Sequence, residues 1–325
     1  MNIEVAGVAL NDWEAHWKRS ASAKPEAIVK AGANGRLPEV IEIRTAKVRE
    51  GHKHIGGDPM AWSRDEPGVR EIVDDLEAHN AFMRAYGVQG IDFLALRRVF
   101  NDGDQPAQRW KAGGRFYSLV INGIGTAYEN MRAQERLKVI RLGGNPVGEI
   151  DMSASQLRLL YAVQDVPMAE ALASDPYVIA GFERDPIKWV VAQALGKNAA
   201  RSERWGAQAV TEYKRETGGR SLGADFNFRA HQEATLAAHP ILESLGQPGA
   251  PGALRLQWIE SEIIRRAMAA LRTQGIGCLP VHDSLLAPIG SLDTARRALE
   301  DAFKAQVQHI IGCSTNHFAM VKQKA

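Results

Sequence analysis

Leu279-Pro280-Val281-His282-Asp283-Ser284-Leu285-Leu286-Ala287 sets two short apolar runs around a polar pair. The pattern predicts a tight β-hairpin with His282 and Asp283 at its tip. An Asp at a hairpin tip commonly serves only the turn. A second acidic residue with similar placement, Asp151, adds another reading. It closes a short strand expected over residues 147–150, within Gly148-Glu149-Ile150-Asp151-Met152-Ser153-Ala154-Ser155-Gln156-Leu157-Arg158. A helix over 154–164 should follow, with Leu157, Leu160 and Tyr161 on its buried face and Ser153 as its cap. Asp151 also fits as a residue at the start of that helix.

The chain has 325 residues, 45% of them apolar and 24% charged. That is enough for one large or two modest domains with a sizeable core. The formal net charge is only +2, so any nucleic-acid-binding surface must be local. Cys278 and Cys313 fit no CxxC spacing and read as buried thiols of a reducing compartment. No apolar run approaches a membrane span, and the N-terminus lacks a signal-peptide layout. A cytoplasmic protein without a membrane partner is expected.

Outward from the hairpin, residues 259–271 predict an amphipathic helix. Its stripe is Ile259, Ile263, Ala267, Ala270 and Leu271, and Glu262 is placed to pair with Arg266. A last helix over 293–311 carries Leu299, Phe303 and Val307. Upstream, helical spacing covers 67–86, and a further helix is expected over 91–100, ending at Asn101-Asp102-Gly103-Asp104. Gly51-His52-Lys53-His54 reads as a solvated loop rather than a metal site, for want of further ligands. Trp110-Lys111-Ala112-Gly113-Gly114-Arg115-Phe116-Tyr117 has two readings. It is either a glycine turn entering a strand, or a backbone that approaches a partner closely while Arg115 holds a phosphate. Residues 176–200 hold more helix, with Arg184 and Lys188 one turn apart, and Pro186 either kinks it or marks its first turn.

Two carboxylates brought together by a small antiparallel sheet repel unless a cation lies between them. Hard oxygen ligands with water to spare suit Mg²⁺. Two such ions, or Mn²⁺ in their place, would activate a hydroxyl and neutralise a leaving pyrophosphate. Arg184 and Lys188 would meet the triphosphate. In-line phosphoryl transfer needs little beyond these parts.

The order Gly-Arg, strand-Asp, Arg-x-x-x-Lys, His-Asp hairpin resembles family A DNA polymerases and the related single-subunit phage and mitochondrial RNA polymerases. The resemblance spans about residues 95–310. Gly114-Arg115 looks like the motif that holds the template–primer duplex. Asp151 to Arg158 looks like motif A, Asp-x-Ser-x-x-x-Leu-Arg. Arg184 and Lys188 look like the start of motif B, and Val281-His282-Asp283 looks like motif C. Gln156 stands where the DNA polymerases have Glu, and Ser284 where they also have Glu; His-Asp-Ser is the RNA-polymerase form. The aromatic positions of motif B hold Ala192 and Gly196.

The resemblance implies an α+β fold, a polymerase palm with a small antiparallel sheet and helical fingers, the thumb reduced or absent. It divides the chain into an N-terminal region (1–110), palm (111–175), fingers (176–255) and palm again (256–325). Asp151 and Asp283 are implied as catalytic metal ligands, joined by the Met152 carbonyl. Arg184, Lys188 and Gln156 are implied to bind the nucleotide, and Gly114, Arg115 and His282 the primer strand. The implied partners are a DNA template with primer or nascent strand, nucleoside triphosphates, and a helicase or replication initiator. The compact size suggests a phage or mobile-element replication system. DNA, RNA and short primers all stand open as products. A palm that binds nucleic acid without turnover is the rival reading.

Overall fold

The structure is a computed structural model and describes residues 4–5, 8–9, 39–50, 53–119, 127–312, 317 and 319–324. Cys313, Gly51 and His52 lie outside the described residues. In chain order the strands are β1 (Glu4–Val5), β2 (Val8–Ala9), β3 (Ile41–Ile43), β4 (Lys47–Glu50), β5 (Lys53–Gly56), β6 (Val88–Gln89), β7 (Ala95–Phe100), β8 (Gly113–Leu119), β9 (Arg141–Leu142), β10 (Asn145–Met152), β11 (Leu279–Val281), β12 (Ser284–Pro288) and β13 (Val321–Lys324). The α-helices are α1 (Val69–Tyr86), α2 (Ala133–Val139), α3 (Ser155–Val163), α4 (Glu170–Ala173), α5 (Arg184–Lys197), α6 (Ala207–Glu216), α7 (Leu222–Asp225), α8 (Phe228–Ala238), α9 (Ala253–Thr273) and α10 (Leu292–Ile311). The result is a mixed α/β protein of helices and small, mainly antiparallel sheets. No helix among the described residues is long and apolar enough to cross a membrane.

The chain divides into two units. The first comprises Met1–Met152, Gln257–Phe303 and Val321–Ala325; the second comprises Ser153–Leu256 and Lys304–Met320. The main sheet of the first unit runs β11-β12-β10-β9-β6, with β13 also paired to β10. Around Asp151, β10 therefore has β12 on one side and β13 on the other. That central position explains the continuous burial of β12, Ser284-Leu285-Leu286-Ala287-Pro288. Gly143 and Gly144 join β9 to β10 in a two-residue turn, Leu142 opposite Asn145, with φ of 57° and 79°. Both central residues need positive φ in such a turn, which glycine adopts at least cost.

A second sheet, β3-β7-β8, corrects the helix expected over 91–100: residues 95–100 are strand. Leu96, Arg98 and Phe100 are buried at every second position. The period of two was hidden because its middle member is an arginine. Arg98 is fully buried, donating from Nε to the Gly114 carbonyl (2.9 Å) and from Nη2 to Ser261 Oγ (3.0 Å) and Glu262 Oε1 (2.8 Å). The Phe100 and Phe116 rings lie 4.8 and 4.9 Å from its guanidinium. Of the stretch expected as a loop at 51–54, Lys53 and His54 belong instead to β5, paired with β4.

Helix α9 extends beyond 259–271 at both ends, but Ala270 of the expected stripe is exposed. Glu262 is engaged by Arg98 and by Arg265, whose Nε lies 2.9 Å from Oε2. Leu299, Phe303 and Val307 of α10 are buried as the spacing required. Cys278 is buried, which pushes its thiol pKa up to about 12.

Among the described residues the second unit is helical. Val190, Trp205, Ala209, Tyr213 and Leu222 form a core with Trp189, Phe226 and Phe228 packed against it. Helix α3 starts without the expected serine cap. Its N-cap is Ala154 at φ 53°, while the Ser153 N–H donates to the Met320 carbonyl. Regular helix in 176–200 begins only at Arg184, so Pro186 falls in the first turn of α5 and marks its start.

Candidate active site at the β-hairpin

Val281 pairs with Ser284, so His282 and Asp283 alone form the hairpin turn, His282 at φ 54°. The Tyr128 hydroxyl donates to the Pro280 carbonyl at 2.6 Å and holds β11 from behind. Across the sheet, Asp151 is the register partner of Ser284, and the Met152 N–H donates to the Asp283 carbonyl at 3.1 Å. Two carboxylates more than a hundred residues apart in the chain are thus placed on a strand and on the turn of the hairpin that pairs with it, both partly buried. On the β13 side Asp151 faces Lys322. Directly opposite residues share a sheet face with Cβ atoms about 5 Å apart.

Glu149 lies two residues before Asp151 and so shares its face. It is almost fully buried and takes an ion pair from Arg136, Nη2 to Oε2 at 2.8 Å. Ser284 Oγ sits 3.1 Å from Glu149 Oε1 and 2.9 Å from the Val281 carbonyl, so its one proton is shared between two acceptors. Arg115 of β8 reaches Glu260 of α9, Nη2 to Oε1 at 2.9 Å. His282 lies within electrostatic reach of both ion pairs. Burial, then the Arg115 charge, lowers its pKa, with Glu260 opposing, so the ring is neutral at pH 7. Its Nδ1 has no hydrogen-bond partner among the described residues.

Of the residues singled out from the sequence, the first unit brings Asp151 and Met152 of β10 next to the β11–β12 turn that carries His282 and Asp283, with the Arg115 charge near His282. Gly114 adjoins Arg98 and Ser261: a Cβ added there would meet Arg98 Nη2 at 3.0 Å and Ser261 Oγ at 3.1 Å. Gln156, Arg184 and Lys188 belong to the second unit, Gln156 on α3 and the two cations one turn apart on α5. Lys188 is exposed. Arg184 is engaged by Asp175 (2.9 Å) and Asp185 (3.3 Å) and stacks over Tyr177. The sequence reading did not pick out Glu149, Arg136, Glu260 or Lys322 as site residues. Only Glu149 carried a local signal, its position two residues from Asp151 on an expected strand.

Among the described residues no group of three or more His, Cys, Asp or Glu side chains could hold a metal ion. Asp151 and Asp283 offer carboxylate oxygens, hard donors of the kind that suit Mg²⁺ or Mn²⁺ rather than a closed structural zinc site.

No family model matches the sequence, and no curated protein matches it. Among solved structures, the chain is similar to the POL domain of Pol1 from M. smegmatis in complex with DNA primer-template and dNTP, with a TM-score of 0.30 and 13% identity. The match covers 99% of this chain and 66% of that one, so this chain spans a little under two thirds of its length.

Proposed function

We propose that the protein is a template-directed nucleotidyltransferase of the family A DNA polymerase kind, extending a 3′-hydroxyl with nucleoside triphosphates. The observation that supports this reading is the β10–β12 register, which seats Asp151 beside the hairpin that carries Asp283. In this reading the sheet of the first unit is the palm and the helical second unit the fingers. Asp151, Asp283 and the Met152 carbonyl would hold the divalent ions, whose bound charge activates the hydroxyl and offsets the pyrophosphate. Glu149 and Ser284 fix the hairpin against β10. His282, neutral and therefore able to accept as well as donate a hydrogen bond, contacts the primer strand together with Arg115. Arg184 and Lys188 bind the triphosphate, Arg184 exchanging Asp175 and Asp185 for phosphate oxygens. Gln156 stands near the sugar. Being uncharged, it sets a weaker bar against a 2′-hydroxyl than Glu does, so ribonucleotides enter as an alternative substrate and a primase or RNA polymerase as an alternative product class.

Primer extension with dNTPs and with rNTPs, in Mg²⁺ and in Mn²⁺, tests the reading. Incorporation is expected, with Asp151→Asn and Asp283→Asn each lowering it by roughly 10³-fold. No incorporation under any of these conditions, or activity that survives Asp283→Asn, overturns it. A second reading, a palm that binds primer–template without turnover, is favoured by the state of α5. There Arg184 is already ion-paired, and the exposed face carries only Ala192 and Gly196 where aromatic residues would stack a base. Binding of primer–template with no incorporation would select it.

A further inference from the structure

Within the first unit, away from the hairpin, five charged side chains alternate along a chain that runs from the buried Arg98 and Glu262 to the partly buried Arg265, Asp75 and Arg272. Arg98 pairs with Glu262, Glu262 with Arg265, Arg265 with Asp75 (3.2 Å), and Asp75 with Arg272 (2.6 Å). Three guanidiniums face two carboxylates, so one positive charge is left over. Arg98, Arg265, Arg272 and Asp75 line a cavity of about 10 Å³, closed further by His79 and Phe116. Arg98 is fully buried, and its Nη1 has no hydrogen-bond partner among the described residues. The buried His79 ring also lines the cavity, with the Cys278 backbone as its hydrogen-bond neighbour. Burying an unmatched charge and orphaned donors is costly unless something accepts from them.

We infer that this cavity is a binding site for a small monovalent anion of the chloride class. Its size admits one water-sized particle, and such a space needs two to four polar contacts to hold its occupant. Arg98 Nη1 and the flanking Arg265 and Arg272 guanidiniums are donors, which suits an anion, an acceptor only. The excess positive charge favours the same choice. Burial, then the Arg272 charge, lowers the His79 pKa to about 4, with the Cys278 backbone and Asp75 opposing, so the ring is neutral at pH 7. The anion balances the arginine chain and steadies Arg98, whose Nε holds the Gly114 carbonyl.

The test uses the full chain. Crystals grown in sodium chloride are measured for anomalous scattering at long wavelength, and again after exchange into bromide. A peak inside this cavity is expected. In solution, Tm should fall by about 2 °C or more when chloride is replaced by gluconate, an anion too large to enter. Arg98→Met, which removes the unpartnered donor, should abolish that difference if the variant folds; where it does not fold, the anomalous peak in the wild type decides. A cavity without an anomalous peak, or a wild-type Tm equal in the two salts, overturns the inference.

Discussion

At position 79 a histidine ring is almost wholly enclosed, and burial with the nearby Arg272 charge brings its pKa down to about 4. An unfolded chain titrates its histidines near 6.5. Between those two values the unfolded state binds a proton that the folded state refuses. Stability is therefore lost as pH falls from about 6.5 to about 4, and this contribution levels off below. In chloride-free buffer, urea unfolding at pH 7 and pH 4 should show wild type losing about 3 kcal/mol more than His79→Leu. Parallel losses in the two proteins would refute this. At this scale the sequence was partly readable. Asp151, His282 and Asp283 stand out because turn chemistry and strand ends are local. Arg98, Arg136 and Glu260 were hidden because each takes its meaning from a partner in a separate segment, and a buried charge without its partner in view looks like a surface residue.

Single elements divide along the same line. The hairpin at 279–287 was legible because two apolar runs around a two-residue polar turn admit few other structures. Strand β7 was not, because its alternation passes through an arginine that only Gly114, Ser261 and Glu262 can satisfy. The junction where β8 begins is correspondingly intolerant. Gly114 has φ 69°, and an added Cβ would approach Arg98 Nη2 and Phe100 Cε1 at 3.0 Å. Gly114→Ala should cost about 2–3 kcal/mol. Gly144→Ala, at φ 79° but with nothing within 4 Å, should cost about 1 kcal/mol. Urea midpoints at unchanged m-value measure both. Equal losses would show that backbone conformation alone, not the seat of Arg98, sets the requirement at 114.

Across the whole molecule the first unit is discontinuous, drawn from three segments of the chain. No linker composition marks Met152 or Gln257 in the sequence, and the expectation of palm at 111–175, fingers at 176–255 and palm again at 256–325 came from the resemblance alone. Past Asn145 and Pro146, which pair with β9, β10 pairs among the described residues with segments that lie far downstream, β12 and β13. A fragment of residues 1–152 should accordingly lack the near-ultraviolet circular dichroism of a packed core and unfold without a cooperative transition, while the full chain shows both. A cooperative transition in the fragment would mean that β3, β7 and β8 suffice as a core. The same arrangement governs biosynthesis. At about 5–20 residues per second, a ribosome finishes the strand bearing Asp151 roughly 6–25 seconds before it supplies the hairpin that strand must meet. For that interval the nascent chain carries an uncovered apolar edge, the kind of exposure that makes a partly made protein prone to aggregate.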